Sequence, residues 1–292
     1  MSDAVDRPGP PALVTEFRRE TLPDPESVGQ DETLVAAIRE EITRGGPITF
    51  ARFMERALYE PGHGYYRRPS PGPGRDGDFL TSPEAHPIFG AAVGQLLEQA
   101  WDSMGRPTPF VVTEPGAGTG ALAAGLLAGL RDMTSPLFDA IRYRPLELEP
   151  TRIAALRDRL EADGLVGRLF DPATDPGPAG ERGAVIANEV LDALPFHRVV
   201  ERADGLRELL VTVAGEGGFA WLESEPTTHA LAARLDEEAV ALADGQVTEV
   251  CLAIDGWLAD ATRHLADGLV VLIDYGAEPG ALHGPGHPDG SL

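Results

Sequence analysis

The stretch Phe110-Val111-Val112-Thr113-Glu114-Pro115-Gly116-Ala117-Gly118-Thr119-Gly120 decides how the chain is read. A short apolar run ends in an acid, glycines follow at alternate positions, and Ala121 to Leu130 is rich in Ala and Leu. This is strand, tight turn and helix, the entry of a nucleotide-binding α/β unit. Glycine suits the turn because the backbone must bend sharply and let a ligand approach with no Cβ in the way.

Two ligand classes compete for such a loop. Gly116-x-Gly118-x-x-Ala121 fits the dinucleotide fingerprint, whose last position tolerates Ala. Glu114-x-Gly116-x-Gly118-x-Gly120 fits the acidic glycine loop of enzymes that use S-adenosylmethionine. Charge favours the second. A carboxylate just before the first glycine would repel a pyrophosphate and attract the ammonium and sulfonium of the methyl donor. A dinucleotide-dependent oxidoreductase and a ligand-free structural turn remain as alternatives.

The 292 residues suffice for a full α/β core with an appendage. A formal charge of −23 at pH 7 speaks against a nucleic-acid partner and suits a cationic one. The sequence holds no lysine, so neither a Walker-type phosphate lysine nor a Schiff-base lysine is available. The single cysteine, Cys251, excludes intrachain disulfides and reads as a small core residue. No apolar run reaches about 18 residues, so no membrane span is expected. The amino terminus matches neither a signal nor a transit peptide, which places the chain in the cytoplasm.

Taken in order, residues 1–30 are Pro-rich and charged and read as a disordered tail. A helical cap is expected over 31–105. Its first helix is capped by Asp31 and its second by Thr49, and Thr81-x-x-Glu84 has the form of a capping box opening a third. The core is expected over 106–292. Tyr143 to Leu148 reads as its second strand, closed by Glu147 and Glu149, where a ribose-binding carboxylate belongs. Glu147 is the first choice. Val166 to Phe170 is expected to be a third strand, and Gly183 to Ala187 a buried one that stops at Asn188-Glu189-x-x-Asp192. Residues 196–225 alternate as a β-hairpin insertion. Helices are expected over 228–243 and 247–266, then a buried strand, Leu269 to Ile273, ending in Asp274-Tyr275-Gly276. His283 and His287 are four apart, but the glycines and proline between them forbid the helix that would align them on a metal, and no metal site is expected.

Gly64-Tyr65-Tyr66, Gly77-Asp78-Phe79-Leu80-Thr81-Ser82-Pro83-Glu84, the acidic glycine loop, Asn188-Glu189-x-x-Asp192-Ala193-Leu194-Pro195 and Asp274-Tyr275-Gly276 stand in the order seen in MidA-type methyltransferases, and the chain resembles that family over about 40–276. The resemblance implies a Rossmann-like class I S-adenosylmethionine-dependent methyltransferase with a doubly wound α/β sheet, a helical amino-terminal cap and a β insertion. It also implies an arginine of a partner protein as acceptor, with a respiratory-complex subunit as the partner of the mitochondrial relative. Ala117 stands where the family usually has Pro. The family chain normally continues past this point, so the last strands of the sheet are expected to be missing. A non-catalytic assembly protein that keeps the fold is the alternative this raises.

Cofactor binding is thereby assigned to Glu114, Gly116, Gly118, Gly120, Glu147 and Asn188, with Asp78 closing over the cofactor from the cap. Glu189 and Asp192 are the carboxylates expected to hold a guanidinium, localise its charge and help remove its proton, with Asp274 beside them.

Overall fold

The computed structural model describes residues 31–68, 80–170, 180–215, 218–284 and 286–291. The amino-terminal region contains α1 (Glu32–Gly45), β1 (Ile48–Thr49), α2 (Phe50–Tyr59), α3 (Ser82–Ala85) and α4 (Ile88–Ser103). The core continues with β2 (Phe110–Pro115), α5 (Ala121–Asp132), α6 (Leu137–Ala140), β3 (Ile141–Leu146), α7 (Pro150–Ala162) and β4 (Glu181–Asn188). Then come β5 (His197–Arg202), β6 (Gly205–Val213), β7 (Phe219–Ser224), α8 (Ala230–Glu237), β8 (Val247–Val250), α9 (Ile254–Thr262), β9 (Leu265–Ile273) and α10 (Pro279–Leu282).

Two sheets organise these elements. The first is parallel, in the order β3-β2-β4-β9. Every residue of β2 is buried, as expected for a strand covered on both faces. Phe110 and Val112 face a core of Leu97, Trp101, Leu126, Leu130, Leu156 and Leu160, contributed by α4, α5 and α7. Across the sheet, Val111 and Thr113 line a smaller cavity shared with Asp260 and Arg263 near the end of α9. The chain runs from β2 out to β3 and returns to β4 on the other side of β2. That reversal opens a crevice at the carboxyl ends of the strands, where ligands of such sheets bind.

The second sheet is antiparallel, in the order β1-β6-β5-β8, with β7 added to β6. It is larger than the hairpin the sequence suggests, because β1 from the amino-terminal region pairs with β6 through Ile48↔Val211 and Thr49↔Leu210. Leu34, Ile38 and Ile42 of α1 pack on Val211 of this sheet, while Leu231 and Leu235 of α8 pack on Val199 and Val250.

Local chemistry explains most element ends. Asp31 Oδ1 accepts from Leu34 N at 2.9 Å and Thr49 Oγ1 from Arg52 N at 3.1 Å, so both expected caps form. Several expectations are corrected. The strand expected to be buried over Leu269 to Ile273 is part of β9, which ends the order of the parallel sheet and is exposed or half-buried along its length, and the helix expected over 228–243 ends at Glu237. Thr81 makes no side-chain cap; Pro87, which cannot donate to a helix ladder, separates α3 from α4. Val166 to Phe170 is a 3-10 turn followed by a single bridge from Leu169 to Tyr143, not a full strand. The helix expected from residue 247 begins only at Ile254, because Val247 to Val250 alternate and pair with β5 as β8. Cys251 therefore lies between a strand and a helix, half-buried, with its thiol toward Pro195 O. In the carboxyl-terminal stretch α10 forms, and Asp289 bridges to Val247.

A close approach of α4 to α5 tests this packing. A Cβ on Gly90 would lie 2.6 Å from Leu126 N and 2.7 Å from the Gly125 carbonyl carbon, both backbone atoms. Gly90→Ala gains about 1 kcal/mol of helix propensity. The overpacking it forces costs about 1–3 kcal/mol. The substitution should lower the urea midpoint of unfolding, and a raised midpoint would show that α4 and α5 do not approach so closely.

Candidate active site

A cavity of about 680 Å³ opens at the carboxyl ends of β2, β3 and β4. The glycine loop forms its floor. Gly116, Gly118 and Gly120 have φ of 71°, 52° and 82°, the left-handed region that glycine enters without a Cβ penalty. Gly116 N and Ala117 N donate to Leu146 O, tying the loop to the end of β3. The three glycines are not equivalent. A Cβ on Gly116 would strike Val190 at 2.9 Å and one on Gly120 would strike Leu156 at 2.6 Å, whereas one on Gly118 meets nothing within 4 Å. Gly118 also lines the cavity. Gly116 and Gly120 serve packing, and Gly118 leaves room for a ligand.

Glu114 ends β2 at 4% exposure and lines the cavity. Tyr143 Oη donates to its Oε2 at 2.7 Å. Burial pushes the Glu114 carboxyl up to about 8; the Tyr143 bond opposes this, and the charge of Glu147 adds to it. Glu147, just past β3, accepts Gly118 N at 3.0 Å on Oε2, and Leu148 N and Glu149 N at 2.8 and 3.0 Å on Oε1. It thus fixes the glycine loop as well as facing the cavity.

Asn188 and Glu189 enter from the end of β4. Asn188 Oδ1 is buried without a hydrogen-bond partner among the described residues. Glu189 has φ 52°, a conformation that costs a non-glycine residue about 1–3 kcal/mol and that concentrates at functional sites. Burial raises its carboxyl above the usual range, and Asp192 and Asp274 add to this, against bonds from Asn188 and the Ser82 backbone. No helix follows, so Glu189 and Asp192 do not share a helical face; residues 190–194 form turns. Asp192 is exposed and does not line the cavity. Crowding by neighbouring atoms raises its carboxyl, and the nearby Asp274 charge adds to this. Asp274 Oδ2 accepts Val190 N, Leu191 N and Asp192 N at 3.1, 2.7 and 3.3 Å, so its carboxylate holds this turn. Asp78 lies outside the described residues.

The cap completes the wall with side chains that sequence reasoning missed. Tyr59 and Tyr66 line the cavity with their rings stacked at 5.7 Å, and Tyr59 Oη donates to Ala193 O at 2.7 Å. Burial holds the Tyr66 phenol up at about 12, reinforced mainly by Asp192 and opposed by Arg152, so it stays protonated. Glu84 accepts Thr119 Oγ1 at 2.9 Å, using across the crevice the carboxylate that the sequence assigned to a cap. The Gly64-Tyr65-Tyr66 motif was the available signal for Tyr66. Arg152 and Trp257, also in the wall, carried none.

S-adenosylmethionine fits these residues. The space beside Gly118 admits a ligand, and among the described residues Asn188 Oδ1 lacks a donor and no cation acts on the buried Glu114 carboxyl. Glu114, Asn188 and Glu147 would hold the ammonium and hydroxyl groups.

Two outcomes follow from this geometry. Gly118→Val, which strains the left-handed turn as well as filling the space beside it, should abolish calorimetric binding of S-adenosylhomocysteine; unchanged affinity would remove the loop from the site. Glu114 gives a pH signature. Its folded value of about 8 exceeds its ordinary 4.5, so it contributes stability that is fully present below pH 4.5 and lost as pH rises through 8. A cationic ligand needs the ionised form, so affinity should rise with pH between 6 and 8 by up to about tenfold per unit. Glu114→Gln should flatten that slope, and a slope that survives the substitution would assign it to another group.

Comparison with known proteins agrees with the geometry. The profile of a family described as "S-adenosyl-L-methionine-dependent methyltransferase" matches residues 92–292. The protein arginine methyltransferase NDUFAF7 homolog, mitochondrial, of Drosophila melanogaster is 31% identical over 74% of this chain and 54% of its own length. The Xenopus tropicalis protein arginine methyltransferase NDUFAF7, mitochondrial, is 30% identical over 59% of this chain and 44% of its own length. The chain thus spans about half the length of the curated relatives it matches. A Burkholderia thailandensis crystal structure bound to S-adenosyl-homocysteine superposes with a TM-score of 0.76 at 34% identity, covering 93% of this chain and 69% of that one. A second structure from the same organism gives 0.75 at 35% identity. With its glycine loop, strand-end acids and parallel sheet in the places such a site requires, the chain belongs to this S-adenosylmethionine-dependent methyltransferase family, of MidA type.

Proposed function

We propose that the chain transfers a methyl group from S-adenosylmethionine to an arginine side chain of a partner protein. The observation that carries this reading is the placement of Glu189. Its carboxylate, raised by burial, stands in a strained conformation on the wall of the cavity that the glycine loop floors. When bound, the cofactor supplies an electrophilic methyl on a sulfonium. The residues of this chain supply positioning, shielding and a proton acceptor.

A guanidinium is a poor nucleophile because it stays protonated and its lone pairs are delocalised. Glu189 would accept its N–H groups, localise the positive charge away from the attacking nitrogen and take the proton that methylation releases. Asp192, at the exposed rim, would hold the incoming cation. Asp274 acts on neither; it would position both carboxylates through the turn that it ties. Tyr59, Tyr66, Leu194 and Trp257 would exclude water from the reacting atoms, which must lie about 3–3.5 Å apart. A carboxylate or phosphate acceptor would meet like charge here.

The names of the relatives agree with an arginine acceptor. A respiratory-complex subunit as partner and a cytoplasmic location belong to the same proposal. The relatives' names carry the word mitochondrial, and fractionation of the source cells decides the compartment. No helix among the described residues is long and apolar enough to cross a membrane.

The test uses labelled donor, lysate protein and mass spectrometry of the modified residue. Glu189→Gln with Asp192→Asn should leave S-adenosylhomocysteine affinity within a few-fold and cut transfer by about 100-fold or more. With the donor saturating, wild-type transfer should also rise as pH passes the raised value of Glu189. Label on a small molecule, or undiminished in the double variant, would move the acceptor site elsewhere. A melting shift with NAD and none with S-adenosylhomocysteine would favour an oxidoreductase; cofactor binding with no transfer would favour an assembly role.

A further inference from the structure

Arg152 is a cation in a cavity otherwise rich in acids. It leaves the first turn of α7, lines the cavity and is 11% exposed. Its guanidinium makes no hydrogen bond among the described residues. Nη2 is buried without a partner, and Nη1 stands 3.7 Å from Glu147 Oε1, too far for a hydrogen bond. Two penalties therefore coincide. A cation in a first helical turn opposes the helix dipole, and buried donors without acceptors forgo hydration. A ligand that offers oxygen lone pairs beside Glu147 would satisfy the unpaired donors.

Lone-pair counting at Glu147 says which ligand group that is. Oε1 already accepts two backbone N–H groups, from Leu148 and Glu149, which fills its two lone pairs. Oε2 accepts one, from Gly118, and keeps one lone pair free. Glu147 can thus accept a single further hydroxyl hydrogen. A vicinal diol brings two hydroxyls, whose oxygens themselves need donors. Arg152, with Nη1 3.7 Å from that carboxylate and Nη2 buried without a partner among the described residues, can supply them.

We infer that Arg152 is a second ribose-binding residue, donating to the oxygens of a vicinal diol while Glu147 accepts one of its hydroxyl hydrogens. The inference rests on the methyl-donor reading above and adds to it a determinant of ribose over deoxyribose. Arg152 Nη1 stands 3.7 Å from Oε1 of the same carboxylate whose Oε2 keeps a free lone pair, so a diol beside that carboxylate can meet the guanidinium and Oε2 together. The amino-acid carboxylate of the cofactor is the competing acceptor for the same guanidinium, and the choice of ligands separates the two.

The experiment measures calorimetric dissociation constants of S-adenosylhomocysteine, its 2′-deoxy and 3′-deoxy analogues, and 5′-methylthioadenosine, which lacks the amino-acid part. The proteins are the wild-type chain, Arg152→Gln and Arg152→Lys. In Arg152→Gln, S-adenosylhomocysteine and 5′-methylthioadenosine should both weaken by about 10- to 100-fold, the scale of a lost charge-assisted hydrogen bond. The preference for the ribose ligand over at least one deoxy analogue should shrink by a similar factor. Arg152→Lys keeps the charge without the fork; it should fall between, and it carries the same comparison if the Gln variant does not fold. A loss confined to S-adenosylhomocysteine would assign Arg152 to the carboxylate and overturn the inference. An equal loss on all four ligands, or none, would overturn it as well. Wild-type protein that binds none of the four would bring down the methyl-donor reading itself, a result distinct from any of these.

Discussion

The burial of the Glu114 carboxyl is the constraint on which the site depends. At 4% exposure the carboxylate is stripped of most of its hydration, and among the described residues its one side-chain donor is Tyr143, itself fully buried. One neutral hydrogen bond cannot replace the hydration of an ion, so the group protonates near pH 8. A cation beside the carboxyl would favour its ionised form and lower that value. β2 must carry this acid into the interior, which is possible because β3 and β4 flank the strand and complete its ladder. The glycine turn must then leave the strand without covering the acid, and three left-handed glycines achieve this.

The acids of the site divide into two kinds. Glu147 and Asp274 each accept three or more backbone N–H groups and hold loops: the first the glycine turn, the second the turn after β4. Charge-assisted bonds of this kind are about twice as strong as neutral ones. Glu114 and Glu189 are the opposite case: burial raises both above the ordinary carboxylate range, and both face the cavity. The held acids make the geometry stiff, and the raised acids leave it responsive to a cationic ligand. Swapping these roles would leave a loose loop beside a satisfied carboxylate.

Local signals were legible in the sequence, and signals that need the third dimension were not. The Asp31 and Thr49 caps, the glycine turn, and the buried strand ending at Asn188 all depend on neighbours a few residues away. β8 was hidden because the short alternation at Val247 to Val250 merges into the helical spacing of Ile254 and Trp257. β1 is two residues long and exists only because β6 offers an edge. Glu189 and Asp192 stand three apart, a spacing that would put them on one face of a helix, but no helix forms there. Glu189 takes a left-handed conformation, which sequence reading reserves for glycine, and it turns the chain before a helix can start. Arg152 could not be found because a lone arginine in a first helical turn normally reads as a solvated charge.

That left-handed Glu189 also explains why cap and insertion share one sheet. A strained residue persists only where its surroundings over-determine it. Three contacts do so here. Glu189 N donates to Ile273 O at 2.8 Å, Asp274 gathers the three amides that follow, and Tyr59 of α2 binds Ala193 O in the same turn. The last comes from the amino-terminal cap, so the cap must be held in place for the turn to keep its shape. β1 does this, fixing the amino end of α2 to β6, while α1 packs on the same sheet through Leu34, Ile38 and Ile42. The antiparallel sheet thereby acts as the mounting of the cap, and the strain at Glu189 is shared by elements more than a hundred residues away in the chain. A simple glycine at this position would need none of that support, but it would bring no carboxylate to the cavity.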